Sequence, residues 1–234
     1  MRNNDQQIES TGSDEACAAS LQRDERGLAL VGGGMELRCD FSQLLPRIRK
    51  DRLASELLVR AAKVRGCAEP WAIDATAGLG EDSFLLAAAG FRVSMYESDP
   101  TIAALARDAI TRAQADPDLA DIARRMELFE EDSIEAMTHL GDTPDVIYLD
   151  PMFPERRKSA AVKKKFQLIH HLEAPCQNEG ALLAAAISAG PRKVVVKRPA
   201  KGPHLAGVKP SHSLTGKAVR YDVIIPASIK VPLA

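Results

Sequence analysis

Trp71-Ala72-Ile73-Asp74-Ala75-Thr76-Ala77-Gly78-Leu79-Gly80-Glu81-Asp82-Ser83-Phe84-Leu85-Leu86-Ala87-Ala88-Ala89-Gly90 is the stretch on which the fold turns. Residues 71–74 read as a strand, 75–80 as a tight loop and 81–89 as a helix with Phe84, Leu85, Leu86 and Ala88 apolar. Gly90 supplies the C-cap. Glycines in the loop let the backbone come close to a ligand.

The alternation continues downstream. Residues 92–97, 126–129, 145–149 and 194–197 read as strands, and residues 100–115, 133–139, 162–172 and 179–189 as helices. Pro100 stands at a permitted first-turn position. Residues 212–217 and 219–225 read as two further strands with no helix between them, hence an antiparallel hairpin. Strands alternating with helices over about 130 residues predict a doubly wound α/β sheet, mostly parallel, with that hairpin at its C-terminal end.

Upstream, residues 28–31 and 35–38 flank Gly32-Gly33-Gly34 and predict a hairpin. Residues 15–22 read as a short helix and the first 14 residues as a frayed polar end. We therefore expect a small N-terminal α+β appendage over residues 1–45 and the main domain over 46–234. Leu53, Leu57, Leu58, Ala61 and Val64 predict one helix across residues 46–65.

With 234 residues and 45% hydrophobic content, the chain can bury a sizeable core. It has no apolar leader and no run of 18 apolar residues, so a cytoplasmic protein without a membrane span is expected. The four cysteines, Cys17, Cys39, Cys67 and Cys176, are far apart and read as reduced thiols. The five histidines lack a ligand pattern, and no metal is expected. The net charge of −1 conceals an asymmetry: residues 1–150 hold 16 Lys and Arg against 28 Asp and Glu, and residues 151–234 hold 15 against 4. That split points to a polyanionic partner met by the C-terminal third, with a solvated basic face as the plain alternative.

Ligands of open α/β sheets sit at the carboxyl ends of the strands. The glycine loop fails the dinucleotide fingerprint, since Ser83 stands at the third glycine position. Acids recur at strand ends instead: Asp74, Glu97, Asp132 and Asp150. Each alone could be an ordinary helix N-cap. Together they repel a pyrophosphate and suit a cofactor with a zwitterionic, cationic end and a ribose, which S-adenosylmethionine (SAM) is. Asp150-Pro151-Met152-Phe153-Pro154 then follows a buried strand. The prolines stiffen the loop and leave its carbonyls free. Asp150, a carbonyl of Pro151 or Met152, and a stacking Phe153 would together orient a planar base carrying an exocyclic amine. A plain turn with a buried Phe is the bland alternative.

The strings D-A-T-A-G-L-G (74–80), V-I-Y-L-D-P-M-F-P (146–154), K-S-A-A-V-K-K (158–164) and V-V-V-K-R-P (194–199) resemble the bacterial 16S rRNA guanine-N2 methyltransferase family RsmJ, over about residues 27–225. The resemblance implies a class I, Rossmann-like methyltransferase sheet. It implies methyl transfer from SAM to N2 of a guanosine in small-subunit rRNA, naked or within the 30S subunit. It places cofactor contacts, besides Asp74, Gly78 and Gly80, on Glu81, Asp82, Glu97, Ser98, Asp132, Ser133 and Asp150. Glu81 stands where the family carries arginine, and Asp132 where it carries serine. Methylation of adenine N6, cytosine N4 or a glutamine amide uses a related loop and is the runner-up. A nicotinamide-dependent oxidoreductase and a non-catalytic RNA-binding module are the rival classes.

Arg156, Arg157, Lys158, Lys163, Lys164 and Lys165 crowd the stretch after the Asp150 loop. Three lysines opening a helix oppose its dipole, so stability does not explain them. Phosphates flanking a flipped base would. Lys197 and Arg198, at the end of their strand, are expected on the same face.

Overall fold

The computed structural model describes residues 19–151 and 178–228. Its first three strands, β1 (Ser20–Asp24), β2 (Gly27–Gly32) and β3 (Met35–Leu37), form an antiparallel sheet in that order. Gly33 and Gly34 both take positive φ, 56° and 70°, as a tight two-residue hairpin turn requires. The expected helix over 15–22 is corrected where it is described: Ser20 to Gln22 belong to β1 and pair with Val31 to Ala29. Every residue of β1 is exposed, so it carries no alternation of apolar and polar residues that would have marked it as a strand.

Residues 46–65 are not one helix. After a 3-10 turn, Phe41–Leu44, the chain forms α1 (Leu45–Ile48), α2 (Lys50–Leu53) and α3 (Leu57–Ala62). Arg49 and Glu56 are extended at ψ 139° and 127°, which breaks the helical run twice. Arg47 Nε donates to Glu56 Oε1 and its Nη2 to Glu56 Oε2, each at 2.8 Å, closing the bend. At the other end Lys193 Nζ donates to the Ala61 and Lys63 carbonyls, satisfying the C-terminus of α3.

The main sheet uses β4 (Trp71–Asp74), β5 (Arg92–Tyr96), β6 (Met126–Phe129), β7 (Val146–Leu149), β8 (Lys193–Pro199), β9 (His212–Thr215) and β10 (Val219–Ile224). Their spatial order is β6-β5-β4-β7-β8-β10-β9. Pairing is parallel from β6 through β8, and β10 runs antiparallel to both its neighbours. The helices between strands are α4 (Glu81–Ala88), α5 (Pro100–Ala115), α6 (Ala120–Ala123), α7 (Ser133–Thr138) and α8 (Glu179–Ser188). The doubly wound sheet with its C-terminal hairpin is thus as expected. The expected helix over 162–172 lies outside the described residues.

Both faces of the sheet are covered, and strand alternation divides the core in two. Ala72, Val93, Tyr148, Val195 and Tyr221 face the side of α3 and α4. Ile73, Ile147, Leu149, Val194 and Val196 face α7 and α8. The N-terminal sheet rests on α5 through Leu30, Leu37, Ile102 and Leu105. Asp108 of α5 fastens it, meeting Arg23 at 2.7 Å and the Leu28 N–H at 3.0 Å. Because the connections leave β4 towards β5 on one side and β7 lies on the other, the carboxyl ends of β4 and β7 border the switch point, the usual ligand position of such a sheet.

Candidate active site

The loop after β4 is stitched to both neighbouring strands. Ala75 N–H donates to the Tyr148 carbonyl at 3.0 Å and Ala77 N–H to the Tyr96 carbonyl at 3.1 Å. Gly78 and Gly80 take φ 52° and 82°. A Cβ on Gly80 would stand 2.6 Å from Met95 Cε, so a larger residue meets both strain and a filled space.

Asp74 is buried, 1% exposed. Its Oδ2 accepts from Ser83 Oγ at 2.5 Å and its Oδ1 from Thr76 N–H at 3.2 Å. Burial pushes its carboxyl up to about 7, against the lowering pull of those two hydrogen bonds. This carboxylate braces the loop against α4 from below. Thr76 in turn accepts the Asp150 N–H at 2.7 Å on its Oγ1, tying the first loop to the loop after β7.

Glu97 closes β5. Its Oε2 accepts the Gly78 N–H at 2.9 Å and its Oε1 the Asp99 N–H at 2.8 Å. Burial raises its pKa, and the backbone N–H groups of Asp99, Gly78 and Ser98 pull the other way. Each oxygen keeps a second lone pair for a ligand hydroxyl. Ser98 is exposed beside it. Asp132 is an N-cap, accepting from Ile134 N–H at 2.7 Å and Glu135 N–H at 3.2 Å, with Ser133 as the first residue of α7. Glu81 is exposed at the start of α4, and Asp82 follows it half-buried.

Asp82 of α4, Asp150 and Lys197 meet at the carboxyl ends of β7 and β8. Lys197 Nζ lies 2.8 Å from Asp82 Oδ2 and 2.9 Å from Asp150 Oδ2. The Tyr148 hydroxyl donates to the same Asp82 oxygen at 2.6 Å. Burial raises the Tyr148 hydroxyl well above its ordinary value, and Asp82 and Asp150 add to that, so it remains a donor. Burial opposes the Lys197 charge, but the two carboxylates outweigh it and raise the ammonium above its ordinary value. Pro151, buried, follows Asp150 directly.

The expectation that Lys197 and Arg198 share a phosphate-facing surface is corrected. Neighbours in a strand point to opposite faces. Lys197 is committed to two carboxylates, and Arg198, 1% exposed, meets Glu179 at 3.2 Å and the Pro203 carbonyl at 2.9 Å on the α8 side. Met152, Phe153, Arg156, Arg157, Lys158, Lys163, Lys164 and Lys165 lie outside the described residues. Sequence reasoning missed the Tyr148 hydroxyl, Thr76 and the Lys197 bridge. It also missed Arg220, which donates to the carbonyls of Pro199, Ala200, Gly202 and Pro203 and to Asp222, and so staples the loop after β8.

The residues present fit SAM. A dinucleotide pyrophosphate at the start of α4 would face the side chains of Glu81 and Asp82, which suit an ammonium or sulfonium group better. The Glu97 lone pairs suit a ribose diol. Among the described residues no group of His, Cys, Asp and Glu is arranged to hold a metal, and no helix is long and apolar enough to cross a membrane.

A family model described as "Putative SAM-dependent methyltransferase" matches residues 6–226. A Neisseria meningitidis protein named ribosomal RNA small subunit methyltransferase J is 43% identical over 208 residues, 88% of this chain and 82% of that protein. A protein of the same name from Stutzerimonas stutzeri is 47% identical over 171 residues, 73% of this chain and 66% of that one. The crystal structure of a SAM-dependent methyltransferase from Neisseria gonorrhoeae superposes with a TM-score of 0.75 at 33% identity, covering 95% of this chain and 89% of that one. The cofactor of this family is SAM. The chain belongs to the SAM-dependent methyltransferase family whose members are named ribosomal RNA small subunit methyltransferase J.

Proposed function

We propose that this chain methylates the exocyclic N2 of a guanosine in small-subunit rRNA, working in the cytoplasm on the 30S subunit or its RNA. The observation that carries the reading is Asp150, a carboxylate held at the carboxyl end of β7 beside the glycine loop, in a chain whose relatives bear the rRNA methyltransferase name. When bound, SAM supplies an electrophilic methyl group whose leaving group is a neutral thioether.

Everything else is the work of the chain's own residues. The amine lone pair of guanine is delocalised into the ring and is a poor nucleophile. Asp150 accepts one N2–H, and a backbone carbonyl in Pro151-Met152 accepts the other, which turns the lone pair towards the methyl group. Phe153 stacks on the base and fixes its plane. After transfer the nitrogen carries a positive charge and an acidic hydrogen, which Asp150 receives. Glu97 and the Gly78–Gly80 loop hold the cofactor, with Asp74 bracing the loop. Arg156, Arg157, Lys158 and Lys163 to Lys165 meet RNA phosphates.

Mass spectrometry of nucleosides from small-subunit rRNA, with and without the active chain, tests this. N2-methylguanosine should appear only with the chain. If methylated adenosine or cytidine appears in its place, the target is wrong. Calorimetry adds a second arm: NAD binding with no SAM binding would remove the enzyme class.

A further inference from the structure

Lys197 ties together two acids that the sequence marks as expected cofactor contacts, Asp82 and Asp150. Lys197 stands on the face of β8 that also carries Val195, towards Tyr148, Tyr221 and α4. Its ammonium spans Asp82 on the helix after the glycine loop and Asp150 on the loop that would orient the base. Both contacts are made to a single oxygen of each carboxylate. Among the described residues, Asp150 Oδ1 has no hydrogen-bond partner, so it stays available to an N–H donor.

We propose that Lys197 is a positioning residue for methyl transfer: clamped by Asp82, it holds Asp150 by its Oδ2, favours the carboxylate over the acid and leaves Oδ1 to the base amine. The inference rests on the Asp150 reading given above and deepens it. A protonated Asp150 accepts from an N2–H poorly and cannot receive its hydrogen. The groups around Asp150 show why a cation is needed there. Burial raises the Asp150 carboxyl above its ordinary value, Lys197 pulls it back and Asp82 of α4 pushes it up again, while Asp74 of β4 lies within electrostatic reach of Asp150. Tyr148 of β7 and Tyr221 of β10 border the cluster as neutral phenols. Arg47 of α1 acts on Asp82 and Tyr221 from the far side. Lys197 makes the direct ion pair with Asp150, and Arg198 adds a weaker attraction from the opposite face of the sheet.

The position also separates two roles for a cation at this point. A phosphate-binding lysine acts on affinity and its salt dependence. A lysine that aims and charges a carboxylate acts on turnover and its pH dependence. Asp82, pinned by Tyr148 at 2.6 Å, supplies the fixed end of the clamp.

The test uses the full chain with 30S subunits, comparing K197M, K197R, D150A and the D150A/K197M double variant. K197M should lower kcat by about 10- to 100-fold, as a small misplacement of a reacting group does. Its KM for subunits and its RNA salt slope should stay near parental. The acid limb of its kcat profile should move to higher pH, since Asp150 loses its neighbouring cation. K197R, which keeps the charge, should keep the parental limb at reduced kcat. In the D150A background K197M should cost nothing further. The inference is overturned if K197M keeps the parental kcat and acid limb, if its loss is as large in D150A, or if the salt slope falls while kcat does not. Should K197M fail to fold, a shifted acid limb in K197R overturns it equally. An active D150A would sink the underlying Asp150 reading and this inference with it, whereas an inactive D150A with a parental K197M sinks this inference alone.

Discussion

Glu97 Oε2 accepts the Gly78 N–H at 2.9 Å, so the carboxylate that ends β5 also holds the glycine loop that ends β4. Its other oxygen takes the Asp99 N–H at 2.8 Å. Glu97→Gln must turn an NH2 towards one of these two N–H donors, losing one hydrogen bond and leaving the ribose a poorer acceptor. SAM affinity should fall by about tenfold or more, some 1.4 kcal/mol. Calorimetry on the folded variant measures it, and parental affinity would reduce Glu97 to a brace of the loop.

Gly80 starts α4 in a left-handed conformation, with Met95 Cε where a side chain would go. Gly80→Ala should cost roughly 1–2 kcal/mol for the backbone alone. For a domain of this size that lowers the thermal midpoint by about 2–4 °C per kcal/mol. On the proposed role of the glycine loop in holding the cofactor, SAM affinity should drop with stability. A variant as stable as the parent would mean that the loop has another conformation open to it.

Asp74 gives a stability signal of unusual sign. Its carboxyl binds a proton near pH 7 in the folded chain, against an ordinary value of 3.8, because burial penalises its charge. The folded state therefore holds more protons than the unfolded state between these limits. This contribution is complete below about pH 4 and is lost as pH rises through 7, and it is worth as much as about 4 kcal/mol. Comparing the parent with Asp74→Asn by urea unfolding isolates it. The parent should lose ground to the variant as pH climbs from about 4 to 7, and a pH-independent difference would show that Asp74 does not titrate there.

What the sequence could and could not show follows from which signals are local. Pro100–Ala115 was legible to the residue because Pro100 opens the helix and its apolar positions recur at helical spacing. The β6 strand, Met126–Phe129, was equally plain. The breaks at Arg49 and Glu56 were not, because the bend is closed by an ion pair between residues nine apart, which periodicity does not register. Lys197 and Arg198 were misplaced for a different reason. Val194, Val195 and Val196 are all buried, since both faces of the sheet are covered, and an unbroken apolar run gives no sign of which face the next residue takes. Asp74 and Glu97 were found as acids at strand ends. Their partners, Ser83 and the Gly78 N–H, are set by the sheet register and needed the fold.

Lys197 and Arg198 point to opposite faces of β8, so the proposed phosphate contacts rest on the basic stretch that follows Asp150 in the sequence. Lys163, Lys164 and Lys165 follow one another directly, and no acid lies between Arg156 and Lys165. Each phosphate neutralised releases condensed counterions, so removing three such cations should flatten the salt dependence of RNA binding by roughly two to three charges' worth. SAM affinity and the thermal midpoint should not move. Arg198→Met is the contrasting variant. Its guanidinium is buried against Glu179 and the Pro203 carbonyl, so its loss leaves those groups unpaired and should cost roughly 1–3 kcal/mol of stability. Its salt slope should stay parental, because a buried cation releases no counterions from RNA. Equal slopes in the triple-lysine variant and the parent would take these lysines off the RNA backbone. A flattened slope in a folded Arg198→Met chain would put that arginine back on it.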